Sequence, residues 1–266
     1  MSAPTAPTWA TPLDGGRLRR RVAAGETTLG TFIGTASSVT GEVCAAAGVD
    51  WLLLDLEHGA GGEDQVRTLV PAAAAYGVPT VVRVESAARI RIGRVLDLGV
   101  AGIMLPRLDS ADDVAAALRH LRYPPAGDRG VATYNRACRF GLDPAALERS
   151  GEDILGVVQI ESAAAVSEVD KMAALTGADV LFVGPRDLSH DLGFPGDVTA
   201  PAFVAALDKV RGAAQDHGKA SGLLVADGAA AAARLADGWT FVAIGSDSTL
   251  LAAALTAQLT RARTTT

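Results

Sequence analysis

From about Thr28 onward, short apolar runs rich in Val, Ile and Leu alternate with longer Ala-, Leu- and Arg-rich segments whose apolar positions recur with helical period. The runs cover residues 29–34, 51–56, 80–84, 102–105, 155–160, 180–183, 222–225 and 241–244. The segments between and after them predict helices over 41–47, 63–76, 89–98, 111–121, 163–175, 202–217, 228–236 and 249–261. Strands this apolar expect burial on both faces, as in a parallel sheet covered by helices. Eight strand–helix units in about 240 residues have the size and count of a (β/α)8 barrel. A doubly wound sheet competes, but it would carry a Gly-rich fingerprint after its first strand. Gly34-Thr35-Ala36-Ser37-Ser38 is not one. One connection, residues 123–153, is long enough to predict a lid, an interface or a mobile segment.

Composition narrows the function. The chain has 266 residues, which suits a single barrel domain over residues 28–266 preceded by a tail and lead-in helix over 1–27. A formal charge of −6 and only 5% aromatic residues argue against a nucleic-acid partner. No apolar run approaches the roughly 20 residues that span a bilayer, so no membrane partner is expected. Residues 1–11, rich in Ser, Ala, Pro and Thr, do not have the form of a signal peptide. Two cysteines, Cys44 and Cys138, offer neither a disulfide framework nor a thiolate metal site, and a reducing cytoplasm fits them.

Polar residues gather where the strands end. The second ends Asp55-Leu56-Glu57-His58, the third Val82-Arg83-Val84-Glu85, the fourth Pro106-Arg107 and the fifth Gln159-Ile160-Glu161. The sixth leads through Gly184-Pro185-Arg186 to Asp187. Barrel enzymes carry their chemistry at these C-terminal strand ends. Residues two apart on a strand share a face, so Gln159 and Glu161 look the same way, as do Asp55 and Glu57. Charges converging on a barrel mouth are costly to bury without partners, and a metal or an anionic ligand accounts for them.

Each residue alone has a plainer reading. A strand-end acid can close the rim in an ion pair, His58 can be a hydrogen-bonded core histidine, and Arg83 can pair with Asp55 or Glu57. His120, His190 and His217 fall in or beside helices and read as solvated. Cys44 reads as a small core residue, and the Arg-rich segment 17–21 as a solvated helix start. Convergence over several strand ends favours a site.

These motifs, together with Arg122-Tyr123-Pro124-Pro125-Ala126-Gly127-Asp128-Arg129-Gly130-Val131 and the late segment 241–247, occur in the order seen in the HpcH/HpaI aldolases. The chain resembles that family from about Gly30 to Leu259. The resemblance implies a metal-dependent class II aldolase that reversibly joins pyruvate, or a similar 2-oxo acid, to an aldehyde. Glu161 and Asp187 would be ligands of a divalent metal (Mg²⁺, Mn²⁺ or Co²⁺), a hard cation suited to carboxylates with open positions. Arg83 would add positive charge at the enolate oxygen. His58 would be the acid–base residue, and Asp97 would orient it and raise its basicity. Gln159 would hydrogen-bond the substrate, and the Arg186–Asp187 backbone would hold the pyruvate carboxylate. Members are commonly hexamers built from trimers, so a homo-oligomer is implied.

Two positions depart from the family pattern. Leu56 replaces a glycine, and Arg186 stands where smaller residues are usual. Either Arg186 pairs with an acid such as Glu57 or Asp191, or it reaches toward the aldehyde. No lysine sits at a strand end, which disfavours a Schiff-base aldolase. The other expectations are a related barrel lyase acting on a CoA thioester, and a silent barrel that binds a 2-oxo acid. The substrate expected first is a sugar-derived or aromatic-catabolic hydroxy-oxo acid.

Overall fold

The structure, a computed structural model, describes residues 15–143 and 145–264. The segment 1–11, read above as no signal peptide, lies outside the described residues. A lead-in helix α1 (Gly15–Ala23) precedes β1 (Thr28–Ile33), α2 (Ser38–Ala46), β2 (Trp51–Asp55), α3 (Glu63–Ala75), β3 (Thr80–Arg83), α4 (Arg89–Asp97), β4 (Gly102–Leu105) and α5 (Ala111–Arg119). After a 3-10 turn (Arg136–Gly141) come α6 (Ala146–Asp153), β5 (Leu155–Ile160), α7 (Ala163–Ala173), β6 (Val180–Val183), α8 (Pro185–Asp191) and α9 (Pro201–Asp216). The chain then runs through β7 (Ala220–Val225), α10 (Gly228–Ala236), β8 (Phe241–Ser246) and α11 (Asp247–Thr264). All eight strands pair in parallel and in chain order, and β8 pairs back onto β1, closing the (β/α)8 barrel. No described helix is long and apolar enough to cross a membrane.

Alternation along the strands divides the apolar residues between two cores. Trp51, Leu53, Val81, Met104, Leu155, Val157, Phe182 and Phe241 fill the barrel, with Trp51 stacked on Phe241 at 4.1 Å between ring centroids. Leu52, Leu54, Val82, Val158 and Ile160 face outward and pack under the helices. Leu18 and Val22 of α1 belong to the inner core, so α1 plugs the N-terminal end of the barrel. The Arg-rich segment is therefore more than a solvated helix start. Arg19 makes a two-pronged ion pair with Asp179, just before β6, and Arg21 bonds Glu26 and Asp50.

Three short elements went unpredicted. Pro185–Asp191, Arg136–Gly141 and Ala146–Asp153 are too short to show a helical apolar period. The long connection does not form a lid over the C-terminal ends of the strands. Its Arg129 is buried and reaches Asp97, Arg122 just before it donates to the carbonyl of Ile154 beside the start of β5, and both tie it to the base. His120 is not simply solvated either, since its Nδ1 lies 2.7 Å from Asp128. Cys44 is half-buried and Cys138 is buried, both as free thiols. At the opposite end, buried Asp247 accepts hydrogen bonds from the Gly34 N–H and the Thr35 and Thr40 hydroxyls, fixing the root of α11 to the loop after β1. Beyond that root α11 is exposed on every side.

Candidate active site

The columns that build the inner core end in polar residues at the C-terminal mouth. Trp51 and Leu53 are followed on the same side of β2 by Asp55, Val81 on β3 by Arg83, and Leu155 and Val157 on β5 by Gln159 and Glu161. Asp55, Arg83, Gln159 and Glu161 are all buried. The apolar layers beneath exclude water from one side and leave substrate access only from above.

Arg83 is the hub. Its Nε and Nη2 donate to the two Asp55 oxygens at 2.9 and 2.6 Å, its Nη1 lies 3.1 Å from Glu57 Oε2, and its guanidinium carbon sits 5.6 Å from the Phe32 ring centre. The two pairings that the sequence offered as alternatives thus occur together. Burial works against the Asp55 charge, but the hydrogen bonds and charge of Arg83 outweigh it and hold the carboxyl below its ordinary range. Asp55 also organises the turn after β2, because its Oδ1 accepts from the backbone N–H groups of Glu57 and His58. Gly59 completes that turn, and a Cβ there would lie 2.2 Å from the Asp55 carbonyl oxygen. The result places His58 at the mouth with its side chain 61% exposed and Nε2 3.9 Å from Glu57 Oε2. His58 is therefore not a core histidine.

Glu161 forms the second focus. Gln159 Nε2 donates to its Oε2 at 2.5 Å, and the backbone N–H of Arg107 donates to its Oε1 at 2.7 Å. Burial, reinforced by the nearby charges of Asp187 and Glu57, raises the Glu161 pKa, although the Arg107 N–H opposes this. Gly184 makes room for the pair: a Cβ there would lie 2.8 Å from Gln159 Nε2 and 2.9 Å from Glu161 Oε2. The sequence motif contained Gly184, but nothing local distinguished it from a loop glycine. Gly59 was equally hidden.

The charges at this mouth do not balance. Asp55, Glu57 and Glu161 share one buried guanidinium, and Asp187 adds its charge beside Glu161. Glu57 Oε2 is buried with the Arg83 ion pair but no hydrogen bond, and Gln159 Oε1 is buried with no donor. Oxygen acceptors and surplus negative charge suit a hard divalent cation. Among the described residues no three His, Cys, Asp or Glu side chains form a ready metal cage. The donor set accordingly fits a two-carboxylate site completed by water and substrate.

The remaining expected residues are placed differently. Asp97 ends α4, beside the N-terminal ends of β3 and β4, where the Ala101 N–H pairs with Thr80. Its Oδ1 accepts from Arg129 Nη2 at 2.7 Å. The length of the barrel separates it from His58 of the same chain. Arg186 is exposed in the first turn of α8, with its Nη1 beside Gly196. It makes no ion pair with Glu57 or Asp191, and Asp191 instead accepts from the Ala163 N–H at 2.6 Å. Pairing with either acid, the commoner fate for such an arginine, is not what the fold does with it.

Comparison with known proteins adds the lineage. The sequence profile of the HpcH/HpaI aldolase/citrate lyase family matches residues 28–254. A 4-hydroxy-2-oxo-heptane-1,7-dioate aldolase of Escherichia coli is 37% identical over 90% of this chain and 91% of its own length. A 4-hydroxy-2-oxovalerate aldolase of Rhodococcus jostii is 40% identical over 88% of this chain and 91% of its own. The crystal structure of an HpcH/HpaI aldolase/citrate lyase family protein from Burkholderia cenocepacia superposes with a TM-score of 0.90 at 34% identity, covering 93% of this chain and 99% of that one. On the barrel, the order of its strand-end motifs and these matches, the chain belongs to the HpcH/HpaI aldolase/citrate lyase family of carbon–carbon lyases.

Proposed function

We propose that this lyase is a divalent-metal-dependent aldolase that reversibly cleaves a 4-hydroxy-2-oxo acid to pyruvate, or a similar 2-oxo acid, and an aldehyde. The observation that carries the reading is the charge imbalance at the mouth, four carboxylates to one buried guanidinium with Asp187 beside Glu161, and Gln159 Oε1 left without a donor. Glu161 and Asp187 would hold Mg²⁺, Mn²⁺ or Co²⁺, whose charge would stabilise the enolate oxygen formed when the carbon–carbon bond breaks.

The chain's own groups divide the remaining work. Arg83, locked by Asp55, presents a fixed positive charge to the 2-oxo oxygen and needs no reorganisation as charge develops there. Gln159 faces the substrate from the same column. The first-turn N–H groups of Arg186 and Asp187 take the carboxylate of the 2-oxo acid. His58, held at the mouth by the Asp55 turn, removes the proton from the C4 hydroxyl. The C3–C4 bond then breaks, its electrons pass to the enolate, and the aldehyde leaves. Protonation at C3 returns the 2-oxo acid.

Asp97 can orient His58 only from a second copy of the chain, since within one chain the two lie at opposite ends of the barrel. That requirement agrees with a homo-oligomer, which we place as a hexamer of two trimers. Leu251 and Leu255 of α11, 66% and 56% exposed, supply apolar surface for a neighbour to bury. The two free thiols agree with a reducing cytoplasm.

Proton exchange at the methyl group of pyruvate, followed by NMR in deuterated water, tests the reading. Exchange that requires Mg²⁺ or Mn²⁺ and stops on addition of chelator is expected. A protein that exchanges no pyruvate protons with any of the three metals is not this aldolase.

A further inference from the structure

The fourth strand ends in a residue that the chemistry above uses only through its backbone. Arg107 holds φ at +54°, in the left-handed region that a non-glycine residue adopts only when the surrounding fold insists on it. The geometry shows what insists: this turn aims the Arg107 N–H at Glu161 Oε1, 2.7 Å away. It also leaves the Arg107 side chain exposed at the mouth, and its guanidinium has no ion pair or hydrogen bond among the described residues.

Position distinguishes it from an ordinary solvated arginine. Strands β4, β5 and β6 are neighbours in the barrel, so Arg107, Glu161 and Arg186 follow one another around the rim. Both arginines are exposed, and neither is neutralised by the acids of the mouth. The Arg107 backbone touches Glu161, so its long side chain starts at the site itself. A substrate whose 2-oxo acid end is held by Glu161 and Asp187 must direct C4 and everything beyond it outward, past this rim. There, an uncommitted guanidinium offers two parallel N–H donors, which match a carboxylate and have nothing to bond on an alkyl chain.

We propose that Arg107 is a specificity-determining residue that recognises a carboxylate at the far end of the acceptor aldehyde. The inference rests on the aldolase reading and names a feature of its substrate. Arg107→Gly is the informative variant. Glycine suits φ +54° and keeps the N–H on Glu161, so only the side chain is lost and the thermal midpoint should hold or rise.

Two ratios read the effect. The first is kcat/KM for aldol addition of pyruvate to succinic semialdehyde over that to butanal, with Mn²⁺. The second is the calorimetric affinity, without turnover, for 2-oxoheptanedioate over 2-oxoheptanoate, which lack the C4 hydroxyl and cannot be cleaved. Both ratios should favour the carboxylate in the parent protein and fall on the order of 10- to 100-fold in Arg107→Gly, with Arg107→Lys in between. Ratios unchanged by Arg107→Gly, or a parent protein indifferent to the second carboxylate, would overturn the assignment while pyruvate proton exchange leaves the aldolase reading standing. If the parent protein exchanges no pyruvate protons, the aldolase reading falls and the assignment falls with it.

Discussion

The two ends of the barrel treat charge in opposite ways. At the N-terminal end, Arg19 meets Asp179 through two hydrogen bonds at 2.9 and 3.1 Å. Its third nitrogen donates to the Gly151 carbonyl, and Asp179 also accepts from the Gly156 N–H. The surplus there is positive, because Arg122 and Arg129 lie nearby, and Arg122 Nη1 and Arg129 Nε are buried without a hydrogen-bond acceptor. At the C-terminal end, Arg83 is shared by Asp55 and Glu57 while Glu161 and Asp187 add further negative charge, Glu57 Oε2 has the Arg83 ion pair but no hydrogen bond, and Gln159 Oε1 has no donor. Partly buried charge is tolerated at both ends, with donors in excess at the base and acceptors in excess at the mouth. The base uses its charged groups to tie α1 and the long connection to the rest of the barrel, and the mouth leaves its surplus acceptors to a ligand. This division matches the separation of stability and catalysis between the two faces of such barrels.

The comparison can be broken most forcefully at Glu161 and Asp187. Alanine at either should reduce metal-dependent pyruvate proton exchange to the uncatalysed background and remove Mn²⁺ binding measured by calorimetry. Full exchange after exhaustive chelation would place the chemistry elsewhere. Next in size, His58→Ala should lose aldol cleavage by roughly 10²–10⁴-fold, with much less change in Mn²⁺ affinity. Normal cleavage by that variant would make His58 a bystander at the mouth.

The base should answer in stability. Arg19→Ala leaves Asp179 without its hydrogen-bonded guanidinium in a half-buried site and should lower unfolding free energy by about 1.5–3 kcal/mol. Chemical denaturation measures it, and pyruvate exchange by the remaining folded protein should be retained. A large catalytic loss at constant stability would erase the distinction between the two ends.

The smallest effect is a pH dependence of opposite sign to the usual carboxylate. In the metal-free protein the Glu161 pKa is raised, chiefly by burial and by Asp187 and Glu57. Its ionised form is therefore the disfavoured one in the fold. Glu161 costs no stability below its unfolded pKa, and the cost develops as pH rises from that value through the raised folded one. Glu161→Gln should flatten this part of the stability–pH curve. In the same window, falling pH should weaken Mg²⁺ binding, because protons compete for the carboxylate. Metal-free stability that rises with pH through the window, and does so less in Glu161→Gln, would contradict the sign. Asp55 behaves conventionally: its pKa is held low, so its contribution is present above the unfolded value and is lost as pH falls through the folded one.

Much of the barrel was legible because its signals are local. Apolar runs of four to six residues and helices long enough to repeat an apolar stripe record themselves in the sequence whatever their neighbours do. Helix α8 and the turn at Arg136–Gly141 were missed because they are shorter than that repeat. The Arg-rich lead-in looked solvated because its partners, Asp179, Glu26 and Asp50, are recognised only once the barrel closes over α1.

The site divides along the same line. That Asp55, Arg83, Gln159 and Glu161 end inward columns follows from a period of two along each strand, so the sequence by itself determined which side chains crown the core. Which of them pair, and which charge remains over, depends on register between strands far apart in the chain, and only the closed barrel decided it. Asp97 is the clearest case. The family resemblance pairs it with His58, but a helix that returns antiparallel to its strand carries its last residue to the base, where it meets Arg129. Arg107 is the converse, an ordinary rim arginine in sequence. Its left-handed backbone exists because Glu161, 54 residues further on, draws its N–H inward. Side-chain alternation is fixed by bond geometry within a few residues, whereas charge balance is a sum over every strand that the fold brings to the mouth.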